Sequence, residues 1–120
     1  MSDTEIDFEH IRQYLGDDAE LTKEVFGLFK NQVEMWSRGM MADTDDESWG
    51  VIMHSLKGSA RAVGAHKLAK LCSVGEGLKG EKGGVEARSA HIHDVKFSIE
   101  KALIEIGRWE YRQTLASMRS

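Results

Sequence analysis

Apolar residues recur every three or four positions through most of the chain and strict alternation is rare, so the pattern predicts helices and no sheet. Phe8, Ile11 and Leu15 mark a short first helix over about 7–15, with Asp7 placed to cap it and Gly16 to stop it. A second helix opens near Asp17 or Asp18. It carries Leu21, Val25, Leu28, Phe29, Gln32, Val33, Trp36 and Met40 along one stripe that only Gln32 interrupts. Thr44 with Glu47 three residues on has the spacing of a capping box, which would start a third helix that Gly64 ends. A fourth turns Leu68, Leu71, Cys72, Gly75 and Leu78 inward, and GLKGEKGG is the clearest loop. The last helix places Ile92, Val95, Ile99, Ala102, Ile106 and Trp109 at near-heptad spacing, with Phe97 and Ile104 widening its apolar face. Four long amphipathic helices on short connections predict an all-α, antiparallel four-helix bundle over about 17–115, capped by the short N-terminal helix. A single domain over 1–120 is expected.

Composition removes several function classes. The net charge is −4, which offers no electrostatic grip on nucleic acid or an anionic membrane. The single cysteine, Cys72, excludes an internal disulfide or a cysteine-built zinc site and fits a reducing compartment. No apolar run is long enough to span a bilayer, and the opening MSDTEIDFEH has neither the basic nor the apolar region of a secretory signal. A cytoplasmic protein that meets a protein partner or small ligand is the expectation.

The third helix holds the candidate chemistry. Advancing about 100° per residue gathers Trp49, Ile52, Met53, Leu56, Ala60 and Val63 on one side, which is core. Glu47, Gly50, His54, Lys57, Gly58 and Arg61 fall on the other, so His54 faces solvent. A glycine in an exposed helix interior costs roughly 0.5–1 kcal/mol relative to alanine. Two of them, each four residues from His54, imply a compensating use, and clearance for another protein's surface is the simplest. Lys57 is a helical neighbour of His54 and could hold an ammonium near an anion on the ring, while Arg61 extends the positive edge. An exposed nucleophilic nitrogen with a cation and cleared flanks suits a phosphoryl group that arrives on one protein and leaves on another.

The stretch HSLKGSARAVGAHKLAKLCSVGE, His54 to Glu76, closely resembles the signature of histidine-containing phosphotransfer (HPt) domains: His-x-Leu-Lys-Gly-Ser, then Gly-Ala, Leu-Ala, Cys and Glu. The resemblance continues upstream through YLGDDAELTKEVFGLF, and the final helix agrees only in pattern. It implies a four-helix bundle that relays phosphoryl groups between receiver aspartates or accepts one from a histidine kinase. It also implies roles: His54 as the phosphorylated residue, with Nε2 the nucleophile; Lys57 as the lysine beside the phosphate; Gly58 as room for the receiver. Glu76 would accept a hydrogen bond from the imidazole Nδ1–H and fix the tautomer. Gly50 lies outside the signature, Ser-Val-Gly-Glu replaces a more usual Leu-Glu ending, and the second helix lacks a proline that many relatives carry.

The expected protein is a monomeric phosphoryl carrier with a receiver domain and a sensor or hybrid kinase as partners. It would need no cofactor of its own, Mg²⁺ belonging to the receiver, and no Gly-rich phosphate loop followed by Lys-Ser/Thr is present for ATP. A non-phosphorylated helical adaptor that blocks a receiver or kinase is the alternative. Ser55 and Ser59 read as small helix-surface residues, and Cys72 as a core thiol. His91 and His93 point about 200° apart on a helix and cannot chelate from one face. His66 and Lys67 are either partner contacts or capping-turn residues, the Lys79–Lys82 loop could meet an acidic receiver rim, and Met35, Met40 and Met41 read as core.

Overall fold

The computed structural model describes residues 4–119, and among them there are helices and no strand. Five α-helices follow in order: α1 Phe8–Leu15, α2 Ala19–Arg38, α3 Asp46–Ala62, α4 His66–Glu76 and α5 Val85–Met118. A single 3-10 turn at Gly80–Lys82 interrupts the connection from α4 to α5. Helices α2 and α4 each lie between α3 and α5, which closes a four-helix ring, and α1 packs on α2. None of the described helices is long and apolar enough to cross a membrane.

Local sequence fixes the helix ends. Asp7 accepts from the His10 amide at 3.1 Å and Asp18 from the Leu21 amide at 3.0 Å, so a carboxylate caps the first turn of both α1 and α2. Gly16 and Gly64 both adopt positive φ, 63° and 68°, where the chain reverses after α1 and α3. The cap of α3 is one residue later than its sequence predicts. Asp45 accepts from the Ser48 amide at 3.0 Å, whereas Thr44 turns its hydroxyl back to the Gly39 carbonyl. A shorter carboxylate next to the helix outcompetes the Thr–Glu box.

Trp49, Ile52, Met53, Leu56, Ala60 and Val63 are all buried, as are Leu68, Cys72, Val95, Ile99, Ala102 and Ile106. The α2 stripe is rotated from its predicted position. Thr22, Phe26, Phe29 and Val33 are buried, and Leu21 and Leu28 are exposed. The reason is that α2 wedges between α3 and α5 and needs Phe26 inward, where its ring meets Trp109 edge-on at 5.2 Å and Phe8 at 6.1 Å. Phe97, Ile104, Met35 and Met41 are exposed too, against expectation, while Met40 is buried in the loop after α2. Gln32, the interruption in the stripe, accepts from the Ser59 hydroxyl at 2.6 Å across α2 and α3, and Ser59 is buried rather than a surface residue.

The residues before α1 form a strap over the bundle. Ile6 is fully buried, and the amides of Glu5 and Ile6 donate to the Glu105 carboxylate at 2.7 and 2.9 Å. Helix α5, 34 residues long, outreaches its neighbours, and every described residue from Tyr111 onward is exposed.

Candidate functional site

The tightest helix pair, α3 with α4, positions the site. At its base the Trp49 indole N–H donates to the Gly75 carbonyl at 2.7 Å. Gly75 is small because it must be: a Cβ there would lie 2.6 Å from Met53 Sδ and 2.8 Å from His91 Nε2. The missing side chain lets α4 approach α3 and α5 together, and Glu76, the next residue, is carried to the α3 surface beside His54 and Lys57. The Gly75 departure from the usual ending is therefore a packing device.

The His54 side chain is 74% exposed, consistent with its place opposite the buried face of α3. Its Nδ1 stands 3.7 Å from Glu76 Oε2, a charge-assisted approach too long for the hydrogen bond that the resemblance implies. Glu76 spends its other oxygen on Lys57: Oε1 forms a close ion pair with the Lys57 ammonium. Lys57 also differs from its expected place. Only 14% of its side chain is exposed, because position 57 lies at the seam where α4 covers α3. The Lys57 hydrogen bond and charge, with smaller contributions from His54, hold the Glu76 carboxyl below its ordinary value, and partial burial opposes them. Glu76 stays ionised at neutral pH, and it faces Nδ1 while Nε2 is left outward.

Of the remaining predicted residues, Gly58 adjoins Lys57 on the exposed face, and a Cβ there would meet nothing within 4 Å. Gly50 is different. The space above it holds the Lys79 side chain, whose Nζ would lie 2.5 Å from a Cβ on Gly50. Clearance at Gly50 thus serves a lysine of the α4–α5 connection rather than standing open. Arg61 is exposed two turns beyond His54 and lines an apolar groove with His10, Tyr14, Leu15, Val25 and Leu28.

Other candidates have structural partners. His66 Nε2 lies 3.0 Å from Asp7 Oδ2 and Lys67 Nζ 3.2 Å from Glu5, so both engage the N-terminal strap. His91 is buried with Nε2 2.7 Å from the Leu71 carbonyl, and His93 is exposed. Cys72 is buried, and burial first, then the Glu76 charge, pushes its thiol up to about 12. Among the described residues no group of three or more His, Cys, Asp or Glu is placed to hold a metal ion.

Sequence reasoning missed Arg88. Its guanidinium is buried on Trp49, 4.6 Å from the ring centroid, and bonds Leu78 O at 3.0 Å, Thr44 O and the Asp46 carboxylate. Nothing in the polar pattern of VEARSAH distinguishes this arginine from a solvated one.

The sequence model of the family described as Hpt domain matches residues 3–115. Among solved structures, the crystal structure of the histidine phosphotransferase ShpA from Caulobacter crescentus is similar, with a TM-score of 0.71 at 27% sequence identity. The likeness covers 94% of this chain and 97% of that one. No curated protein matches.

Proposed function

The chain belongs to the Hpt domain family, whose members are phosphocarrier modules of phosphorelays, and from that premise we propose that it carries a phosphoryl group on His54. The donor is a phospho-aspartate in a receiver domain, or a histidine kinase, and the acceptor is a response regulator. One observation carries this reading: His54 is exposed with Nδ1 turned to an ionised Glu76, so the free face of the ring is Nε2.

Transfer then follows from ordinary nucleophilic substitution. The Nε2 lone pair forms the N–P bond as the acyl-phosphate P–O bond breaks, and the electron pair leaves with the receiver's carboxylate. Nδ1 keeps its proton, so the phosphorylated ring gains positive charge. A shift of about 1 Å brings Glu76 Oε2 from 3.7 Å to hydrogen-bond distance of that N–H, which stabilises the charge as it forms. Lys57 keeps Glu76 ionised and in place, and its ammonium is near enough to exchange between carboxylate and phosphoryl oxygens. Gly58, with open space above it, admits the receiver surface, and Arg61 extends the contact along α3. The receiver supplies the aspartate and its divalent metal, and ATP chemistry stays on a separate kinase. The protein works as a monomer, since the site needs no residue from a second copy.

Incubating the protein with a phosphorylated receiver tests this. Acid-labile, base-stable label is expected on the wild type and none on His54→Gln. Equal labelling of both overturns the assignment. Tight receiver binding that ignores His54→Ala, with no label on either protein, favours an adaptor instead.

A further inference from the structure

Lys57, the cation that the family pattern assigns to the phosphate, is already occupied. Its ammonium is mostly covered and paired with Glu76, and the carboxylate holds it until phosphate competes for it. The other ammonium near the site is Lys79, which has no hydrogen bond or ion pair to its side chain among the described residues. Its Nζ and Cε rest on Gly50, at 2.5 and 2.9 Å from where a Cβ would be.

Gly50 lies one turn before His54 on α3, where Cβ positions are about 5–6 Å apart. Helical side chains lean toward the N-terminus, so the imidazole of His54 projects over the turn that Gly50 leaves bare. The Lys79 ammonium occupies the same turn.

The loop that carries Lys79 is anchored on both sides. Its predecessor, Leu78, offers its carbonyl to Arg88 Nε at 3.0 Å, and its successor, Gly80, donates its amide to Asp46 Oδ2 at 3.0 Å. Arg88 and Asp46 also bind each other, so one ion pair, buried on its arginine side and exposed on its aspartate side, clamps both neighbours of Lys79 to the start of α3. The backbone is fixed and the four-carbon arm is free to swing. Resting on His54's own helix turn, a free cation on a fixed base suits a transient anion.

We propose that Lys79 is a second phosphoryl-binding cation of this site, seated in the notch of Gly50, and that it contacts the phosphate on His54 Nε2 alongside Lys57, whose resting partner is Glu76. This rests on the assignment of His54 as the phosphorylated residue. Gly50, which the family signature does not include, is then a seat for Lys79.

The test loads phosphate without any relay partner: the full chain is phosphorylated with phosphoramidate and the phosphohistidine is titrated by ³¹P NMR. A unit charge at about 6 Å in a water-like dielectric lowers the second phosphoryl pKa by about half a unit at low salt. Lys79→Gln should therefore raise it by about that much, and Lys79→Arg should restore it. Gly50→Ala should produce the same rise by displacing the flexible end of Lys79, and should add nothing in the Lys79→Gln background. An unchanged pKa in Lys79→Gln, or a Gly50→Ala effect that persists without Lys79, overturns the inference. Failure of receiver transfer with the ³¹P shifts intact counts against the relay alone, and a wild type that takes no phosphate on His54 overturns both.

Discussion

Gly58 and Gly75 make opposite predictions for the same substitution. At Gly75 a methyl group would lie 2.6 Å from Met53 Sδ and 2.8 Å from His91 Nε2, against ordinary contacts of about 3.5–4 Å. Both neighbours are themselves buried, so each must retreat by about 1 Å into packed surroundings. Such overpacking costs about 1–3 kcal/mol. His91 can retreat only by weakening its 2.7 Å contact with the Leu71 carbonyl, which adds about 1 kcal/mol or more. Alanine's better helix propensity returns about 1 kcal/mol. The net expectation for Gly75→Ala is a loss of about 2 kcal/mol, or roughly 6–12 °C in Tm. At Gly58 a methyl group meets nothing within 4 Å, so Gly58→Ala should gain about 0.5–1 kcal/mol from propensity alone. Urea unfolding followed by circular dichroism measures both. A Gly75→Ala protein as stable as the wild type, or a destabilised Gly58→Ala protein, would refute this account of how α4 is brought to α3. Because Glu76 follows Gly75, the first variant should also slow receiver labelling.

Arg88→Met should cost about 2–4 kcal/mol, because it strands the Leu78 and Thr44 carbonyls and unclamps Asp46; a loss under about 1 kcal/mol would show the clamp to be dispensable. The Lys57 ammonium holds the Glu76 carboxyl below the ordinary glutamate value, so the folded state binds its proton less tightly than the unfolded chain. Its stabilisation is therefore present above that unfolded value and fades as pH falls through the lowered folded one. The urea midpoint difference between wild type and Glu76→Gln should shrink from about pH 7 to about pH 3, and a difference that holds or grows in acid contradicts the Lys57–Glu76 pairing. Cys72, buried with its thiol at about 12, should resist iodoacetamide at about pH 8 until the protein unfolds, and native alkylation at the unfolded rate would place it at the surface.

Helix positions were readable from the sequence where one face is plainly apolar and the caps are unambiguous. Asp7, Asp18, Gly16 and Gly64 stand where the pattern puts them, and the core face of α3 is buried residue for residue. The phase of α2 was less legible, because Leu21, Leu28, Phe26 and Phe29 give it apolar residues on more than one side. Only packing against Trp109 and Phe8 selects Phe26 over Leu28. Spacing and resemblance together single out His54, Lys57 and Glu76, which the fold does bring together, but neither could tell which oxygen Glu76 gives to which partner. Long-range contacts were out of reach. Arg88 reading as a solvated arginine, and Lys79 lying against Gly50, depend on a loop closure that no local pattern encodes.

The chain has five histidines, and His54 is the one proposed to carry the phosphoryl group. His10, His66 and His93 serve as internal controls, since they lie outside the site built around Lys57 and Glu76. After incubation with a phosphorylated receiver, peptide mass spectrometry under conditions that preserve phosphohistidine should find the added phosphoryl mass on His54 alone. Phosphate on another histidine, or none on His54 while the receiver loses its own, would contradict the central claim.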